Sequence, residues 1–231
     1  MPFLFYNPTY WLFALPALLL GLYAQFRVQT SFNKYMRVPN YRRVTGLAAA
    51  RELLSAAGLG HVEIEGTAGT LSDHYDPRTK TLRLSRPVAQ SASVAAVAVV
   101  AHEVGHAVQD ATDYTPMRVR SGIVPLVNLG SWLGPILFFI GLLAASPELA
   151  LIGVLGFAAA AVFALVTLPV ELNASSRALH MLQSSGLIAG QEVPAARTVL
   201  NAAALTYVAA LAQAISTLLY FLTLLGGVRR D

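Results

Sequence analysis

Charged side chains are missing from four stretches of the chain, residues 1–25, 121–147, 149–170 and 198–228. Each can hold a helix of about 20 residues, the length that crosses the hydrocarbon of a bilayer. The first stretch lacks a basic leading region and a small-x-small cleavage site before Gln25, so it predicts a retained anchor rather than a removable signal. Only Glu148 separates the second from the third, which predicts a hairpin of two spans turning near that residue. The fourth is less apolar in its first half, where Asn201, Thr206, Tyr207 and Gln213 fall, and its alternative is a long amphipathic surface helix. Between the first and second stretches the pattern changes. Residues 80–85 read KTLRLS, polar and apolar in alternation, as in a half-buried strand. Residues 93–109 read SVAAVAVVAHEVGHAVQ, an Ala/Val helix with an apolar flank long enough to be buried and no proline to break it.

Composition agrees with a membrane protein: of 231 residues, 55% are hydrophobic and 12% charged, and the mean hydropathy is +0.57. The few charges carry an orientation. Twelve of the sixteen Lys and Arg residues lie between Arg27 and Arg120, and Arg27, Lys34, Arg37, Arg42 and Arg43 follow the first span directly. The positive-inside rule puts that segment in the cytoplasm, the N-terminus outside, and Glu171 back on the cytoplasmic side at the end of the third span. Four spans would leave Arg229 and Arg230 outside, against the same rule, unless the last segment is short or re-entrant. Tyr6, Tyr10 and Trp11 suit an outer interfacial belt. A net charge of +4 spread along such a chain is not a nucleic-acid footprint; the basic stretch fits anionic lipid head groups. With no cysteine there are no disulfides and no thiolate metal ligands.

The candidate chemistry sits on the Ala/Val helix, in His102-Glu103-Val104-Gly105-His106. Four residues turn a helix by about 400°, so His102 and His106 share a face roughly 6 Å apart along the axis and can reach one Zn²⁺. Glu103, about 100° round the helix, is off that stripe yet close enough to take a proton from a water on the metal, the place of a general base. A strand followed by such a helix is the zincin arrangement, in which an edge strand can hold an extended peptide. A third ligand follows by elimination. Thr112 occupies the position six after His106, where one zincin branch carries histidine. Asp110 is too far along the helix, Glu148 lies across the membrane, and Glu192 is in a Gly/Pro-flanked loop. Glu171 remains, where the third span ends and the helical run VELNASSRALHML is expected to open. An acid at a membrane boundary is costly without a partner, and the metal would be one; the bland alternative is an ordinary interfacial carboxylate. Two His and one Glu with water fourth form a common catalytic zinc set, although the same donors accept Co²⁺, Mn²⁺ or Fe²⁺.

Residues 73–77, DHYDP, carry more polar function than a turn requires. They start a turn readily, with Asp73 as a cap; alternatively His74 or Tyr75 donates to the oxyanion formed at the attacked carbonyl. Arg177 is a rival donor or a salt-bridge partner, and Asn173 is placed to orient a histidine. The glycines Gly226 and Gly227 are expected to end the last helix, and residues 186–194 to form a linker.

The blocks NPTYW (residues 7–11), LSDHYDPRTKTLRLS (71–85), AAVAVVAHEVGHAVQ (95–109), PLVNLGSWLGP (125–135), LPVELNASSRAL (168–179) and VLNAAALTYVAA (199–210) occur in order along the chain. In these the sequence resembles the YugP-like membrane-bound neutral zinc metallopeptidases, distantly similar to the HtpX-like and CAAX prenyl proteases. The resemblance implies a multi-pass bacterial membrane peptidase holding one zinc by His102, His106 and Glu171, with Glu103 as base; Ser176 departs from the basic residue expected there.

The expected fold is a mainly α membrane protein of about four transmembrane helices with a small zincin-like α+β catalytic domain, short strands packed on the helix of the two histidines. Its expected divisions are an anchor (1–26), a cytoplasmic catalytic region (27–120), a transmembrane hairpin (121–170), a cytoplasmic helix and loop bearing the third ligand (171–197) and a C-terminal helical segment (198–231). The expected activity is zinc-dependent hydrolysis of peptide bonds at the cytoplasmic face of the cell membrane, on peptides or membrane-protein segments, in contact with the lipid bilayer. The alternatives are a non-catalytic scaffold stabilised by zinc, an intramembrane protease in which the Ala/Val flank sinks into lipid, and, with few polar groups at mid-membrane to support it, a transporter.

Overall fold

The computed structural model describes residues 8–228. Tyr6, Asn7, Arg229 and Arg230, which the sequence analysis uses, lie outside the described residues. In chain order the elements are helices α1 (Pro8–Met36) and α2 (Gly46–Ala56), strands β1 (Glu63–Thr67), β2 (His74–Asp76) and β3 (Thr81–Ser85), and helices α3 (Arg86–Gln90), α4 (Val94–Ala111), α5 (Thr115–Leu143), α6 (Pro147–Ser184) and α7 (Val193–Val228), with a 3₁₀ turn at Gly190–Glu192. Helices α1, α5, α6 and the segment containing α7 are long and apolar enough to cross a membrane. The molecule is a mainly α membrane protein with a small α+β domain. Its residues divide into two compact units, and α1, α5, α6 and α7 each contribute to both.

One unit comprises residues 26–117 and 170–205. Its sheet has strand order β1-β3-β2, with β1 parallel and β2 antiparallel to the central β3. The alternation read in KTLRLS is realised only in part: Leu82 and Leu84 are buried and Arg83 reaches the other way to Glu65 on β1 and Asp76 on β2, but Thr81 and Ser85 are buried too, as suits the central strand. Asp73 ties the start of the hairpin to the start of α3, accepting from the Ser85 amide at 2.7 Å and the Ser85 hydroxyl at 3.0 Å. Helix α4 begins at Ser93, whose hydroxyl accepts from the Ala96 amide. Its Ala/Val face is buried with Leu53 and Leu54 of α2, Leu82 and Leu84 of β3, and Leu182 of α6 in one apolar core. Small side chains allow close approach: a Cβ added at Gly105 would lie 2.8 Å from the Ala174 carbonyl oxygen, so α4 and α6 cross almost backbone to backbone.

The other unit holds residues 8–25, 118–169 and 206–228 of the described chain. Helices α5 and α6 meet through glycines, and a Cβ at Gly156 would come within 2.7 Å of the Gly130 carbonyl oxygen. Phe138, Ala150, Val154 and Leu225 form a small buried cluster, and the Ser216 hydroxyl donates to the Phe13 carbonyl. Leu12, Leu18, Leu126, Trp132 and Leu165 remain exposed, as suits side chains solvated by lipid rather than water.

Two boundaries differ from the sequence reading. Glu171 does not open a helix: α6 runs unbroken from Pro147 to Ser184 with Pro169 inside it. The end of a charge-free window marks where lipid ends, whereas a helix ends only where its hydrogen bonding does, and one interior proline is tolerated in such helices. Nor do Gly226 and Gly227 end α7, which continues to Val228.

Candidate metal centre

Helix α4 supplies His102, Glu103 and His106, and the α4–α6 crossing at Gly105 and Ala174 brings Glu171 against them. One ligand atom from each of His102, His106 and Glu171 falls in a group whose members lie within 4.8 Å of one another. The finer geometry is more telling. His102 Nε2 lies 3.2 Å and His106 Nε2 3.4 Å from the same atom, Glu171 Oε2. Ligands at about 2.0–2.1 Å on two corners of a tetrahedron are separated by roughly 3.3 Å, so the donor set fits a zinc-sized cation.

Both rings are held from behind. Ser175 Oγ lies 3.2 Å from His102 Nδ1, and Gln109 Oε1 lies 3.0 Å from His106 Nδ1. Gln109 is fully buried, and its amide nitrogen donates to the Val170 carbonyl at 2.8 Å and to Asn173 Oδ1 at 2.9 Å. With its nitrogen so committed, its oxygen must face His106, which assigns the proton to Nδ1 and leaves the Nε2 lone pair directed at Glu171. Burial opposes protonation of His106, but the hydrogen bond that the protonated ring donates to Glu171 and the charges of Glu103 and Glu171 outweigh it, so its pKa lies above the ordinary histidine value.

Glu103 is buried beside the two rings, and one of its oxygens accepts from the Tyr75 backbone amide of β2 at 3.1 Å. Burial raises its pKa above the usual carboxylate value, with the neighbouring histidines pulling the other way. A buried carboxylate of raised proton affinity, held by one backbone donor, is suited to exchanging a proton beside a cation.

Over residues 10–226 the sequence matches the family described as "Putative neutral zinc metallopeptidase". The chain belongs to this family. It is also 45% identical over 205 residues to "Putative membrane protease YugP" of Bacillus subtilis (strain 168), an alignment covering 89% of this chain and 91% of that protein. No solved structure matches the chain. Zinc is the metal that membership of a zinc metallopeptidase family implies, and His102, His106 and Glu171 are residues able to hold it.

The remaining residues of interest in this zinc metallopeptidase homologue fall around the cluster rather than in it. The Tyr75 hydroxyl donates to Asp110 Oδ2 at 2.7 Å; burial and Asp110 together push the phenol pKa up. Lys80 pairs with the same carboxylate oxygen at 2.6 Å. His74 is exposed, with Nδ1 2.8 Å from the Ser72 carbonyl oxygen. Arg177 Nε donates to Asn173 Oδ1 at 2.8 Å, and its guanidinium lies over the Tyr114 ring. Asn173 thus meets Gln109 rather than a histidine. Gln109 and Ser175 are not expected from the sequence. Gln109 left a signal, a polar residue three after His106 on an otherwise apolar helix, where (i, i+3) side chains meet. Ser175, which must meet a ring 73 residues away in sequence, left none.

Proposed function

We propose that this chain is an integral-membrane zinc endopeptidase that binds one zinc through His102, His106 and Glu171 and cleaves peptides or membrane-protein segments at the cytoplasmic surface of the cell membrane. The observation that carries the reading is the convergence of two imidazole Nε2 atoms on one Glu171 oxygen, with the Glu103 carboxylate buried alongside. A zinc ion held there supplies the Lewis acidity that makes water a competent nucleophile near neutral pH. Glu103 takes the proton from the attacking water as its oxygen bonds to the scissile carbonyl carbon. It then delivers that proton to the amide nitrogen as the C–N bond breaks. Ser175 and Gln109 hold the His102 and His106 rings throughout. The polar region of residues 27–120, with 171–197, forms the catalytic part, and the charge-free stretches anchor it. The orientation rests on the basic residues that follow the first span.

The test is zinc content and peptide hydrolysis of the detergent-purified protein. Glu103→Gln should keep one zinc per chain and lose hydrolysis by roughly 10²–10⁴-fold; Glu171→Ala should lose the zinc. Zinc retained without Glu171 would remove it from the ligand set. Undiminished hydrolysis by the Glu103 variant would end its assignment as base, and zinc without hydrolysis in the wild type would favour a scaffold.

A further inference from the structure

Beside the metal cluster, the flank of α6 and the first turns of α7 enclose an open groove of about 380 Å³. Its polar lining is formed by Ser176, His180 and Gln183 of α6 and by Arg197 and Asn201 of α7, while Leu172 and Leu179 add apolar wall. Among the described residues no carboxylate lines it, and none pairs with the Arg197 guanidinium. Ser175 belongs both to this groove and to the shell of the metal, since its hydroxyl meets His102 Nδ1 at 3.2 Å. The groove therefore begins one hydrogen bond from a candidate ligand.

We propose that this groove is a substrate subsite that receives a carboxylate of the bound peptide, a Glu or Asp side chain or a free C-terminus, with Arg197 as the specificity-determining residue. The proposal rests on the peptidase reading and adds the substrate class. Charge and donors argue for it. One permanent cation beside the neutral donors Asn201, Gln183 and Ser176 matches a group of single negative charge; guanidinium and carboxylate pair in a two-point geometry, and those three side chains can satisfy the remaining lone pairs. The volume falls in the range of small-ligand pockets and suits one or two residues of a peptide. Leu172 and Leu179 would pack against the methylenes of such a side chain. A lipid head group shares the anionic chemistry, but the groove lies on the Nδ1 side of His102, one ring's width from the Nε2 that meets Glu171, and two extended residues span roughly 7 Å, so a peptide held at the metal can reach it.

The test uses full-length, zinc-loaded protein carrying Glu103→Gln, so that peptides are held and not cut. The probes are two fluorescent octapeptide pools, identical except that one carries Glu where the other carries Gln, both with amidated C-termini; a third pool carries Gln and a free C-terminal carboxylate. Anisotropy should show the two carboxylate-bearing pools binding about tenfold tighter. Arg197→Gln should abolish that preference and Arg197→Glu should reverse it, with zinc content unchanged as the check on folding. Equal or unmeasurable binding of the pools, or a preference that survives both Arg197 variants, would overturn the proposal. So would an Arg197 dependence that appears only as competition by phosphatidylglycerol vesicles, which would assign the groove to lipid. Cleavage of the same pools by wild-type protein separates the two readings. Cleavage without charge preference would remove the subsite and keep the peptidase; Arg197-dependent binding with no cleavage would keep the subsite and remove the peptidase.

Discussion

Gln109 decides which nitrogen of His106 is offered to a metal, because an amide whose nitrogen already donates to Val170 and Asn173 has only its oxygen left to give. Replacing it with Leu keeps the volume but frees the ring to rotate or to take the other tautomer. Gln109→Leu should weaken zinc binding about 10–100-fold, the usual effect of losing such a partner, measured by competition with a chromophoric chelator; unchanged affinity would mean that packing alone holds the ring. A second consequence concerns protons. In the metal-free site, burial lowers the proton affinity of His106, but the hydrogen bond that the protonated ring donates to Glu171 and the charge of Glu103 raise it further than burial lowers it. Zinc requires the neutral ring, so metal and proton compete, and the competition starts at a higher pH than for a histidine of ordinary value. Zinc affinity should fall as pH is lowered from about 8 to about 5, with proton release on binding. Affinity that stays constant over that range would show that the ring is already neutral in the free site.

At the scale of elements, the site depends on how closely two helices pass. A methyl group at Gly105 would lie 2.8 Å from the Ala174 carbonyl oxygen, an atom fixed in the α6 backbone. Gly105→Ala should therefore push α4 and α6 apart, destabilise the protein by about 1–3 kcal/mol and weaken zinc binding, because Glu171 rides on α6. Thermal unfolding together with zinc titration checks it; wild-type values for both would mean that the crossing can relax at no cost. This dependence also explains what could be read from the sequence. The two histidines and their helix were legible because their spacing is the helix period itself, and β3 because its alternation is local. Glu171 was found by excluding other acids, since it meets the histidines 65 to 69 positions away in sequence. Helix α2 and strand β1 were not anticipated. The sequence EIEGT is short and polar, and β1 pairs in parallel with a strand that begins 18 residues later, so nothing local specifies its register. The glycines that let α4 meet α6 and α5 meet α6 are visible as letters, but only the fold shows which carbonyl each one faces.

For the whole molecule, the compartment that the candidate site faces is directly measurable, because the sequence holds no cysteine and any single introduced thiol is the only one in it. Charge favours the cytoplasm. Twelve of sixteen Lys and Arg residues fall between the first and second charge-free stretches, and moving them across a membrane opposes the positive-inside bias. Helix α6, with 38 residues, is about 57 Å long, whereas hydrocarbon is about 30 Å thick. Only part of it can be immersed, and the charge-free part ends one residue before Glu171. On this reading the turn between α5 and α6 lies outside and the β1–β2 loop inside. Ala144→Cys, in that turn, should react with a membrane-impermeant maleimide on intact cells; Thr70→Cys, in that loop, should react only after the membrane is opened. Both side chains are exposed, so labelling reports sidedness rather than burial. The opposite pattern would turn the molecule over, place the His102, His106 and Glu171 cluster outside, and restrict its substrates to peptides and segments that reach the outer face.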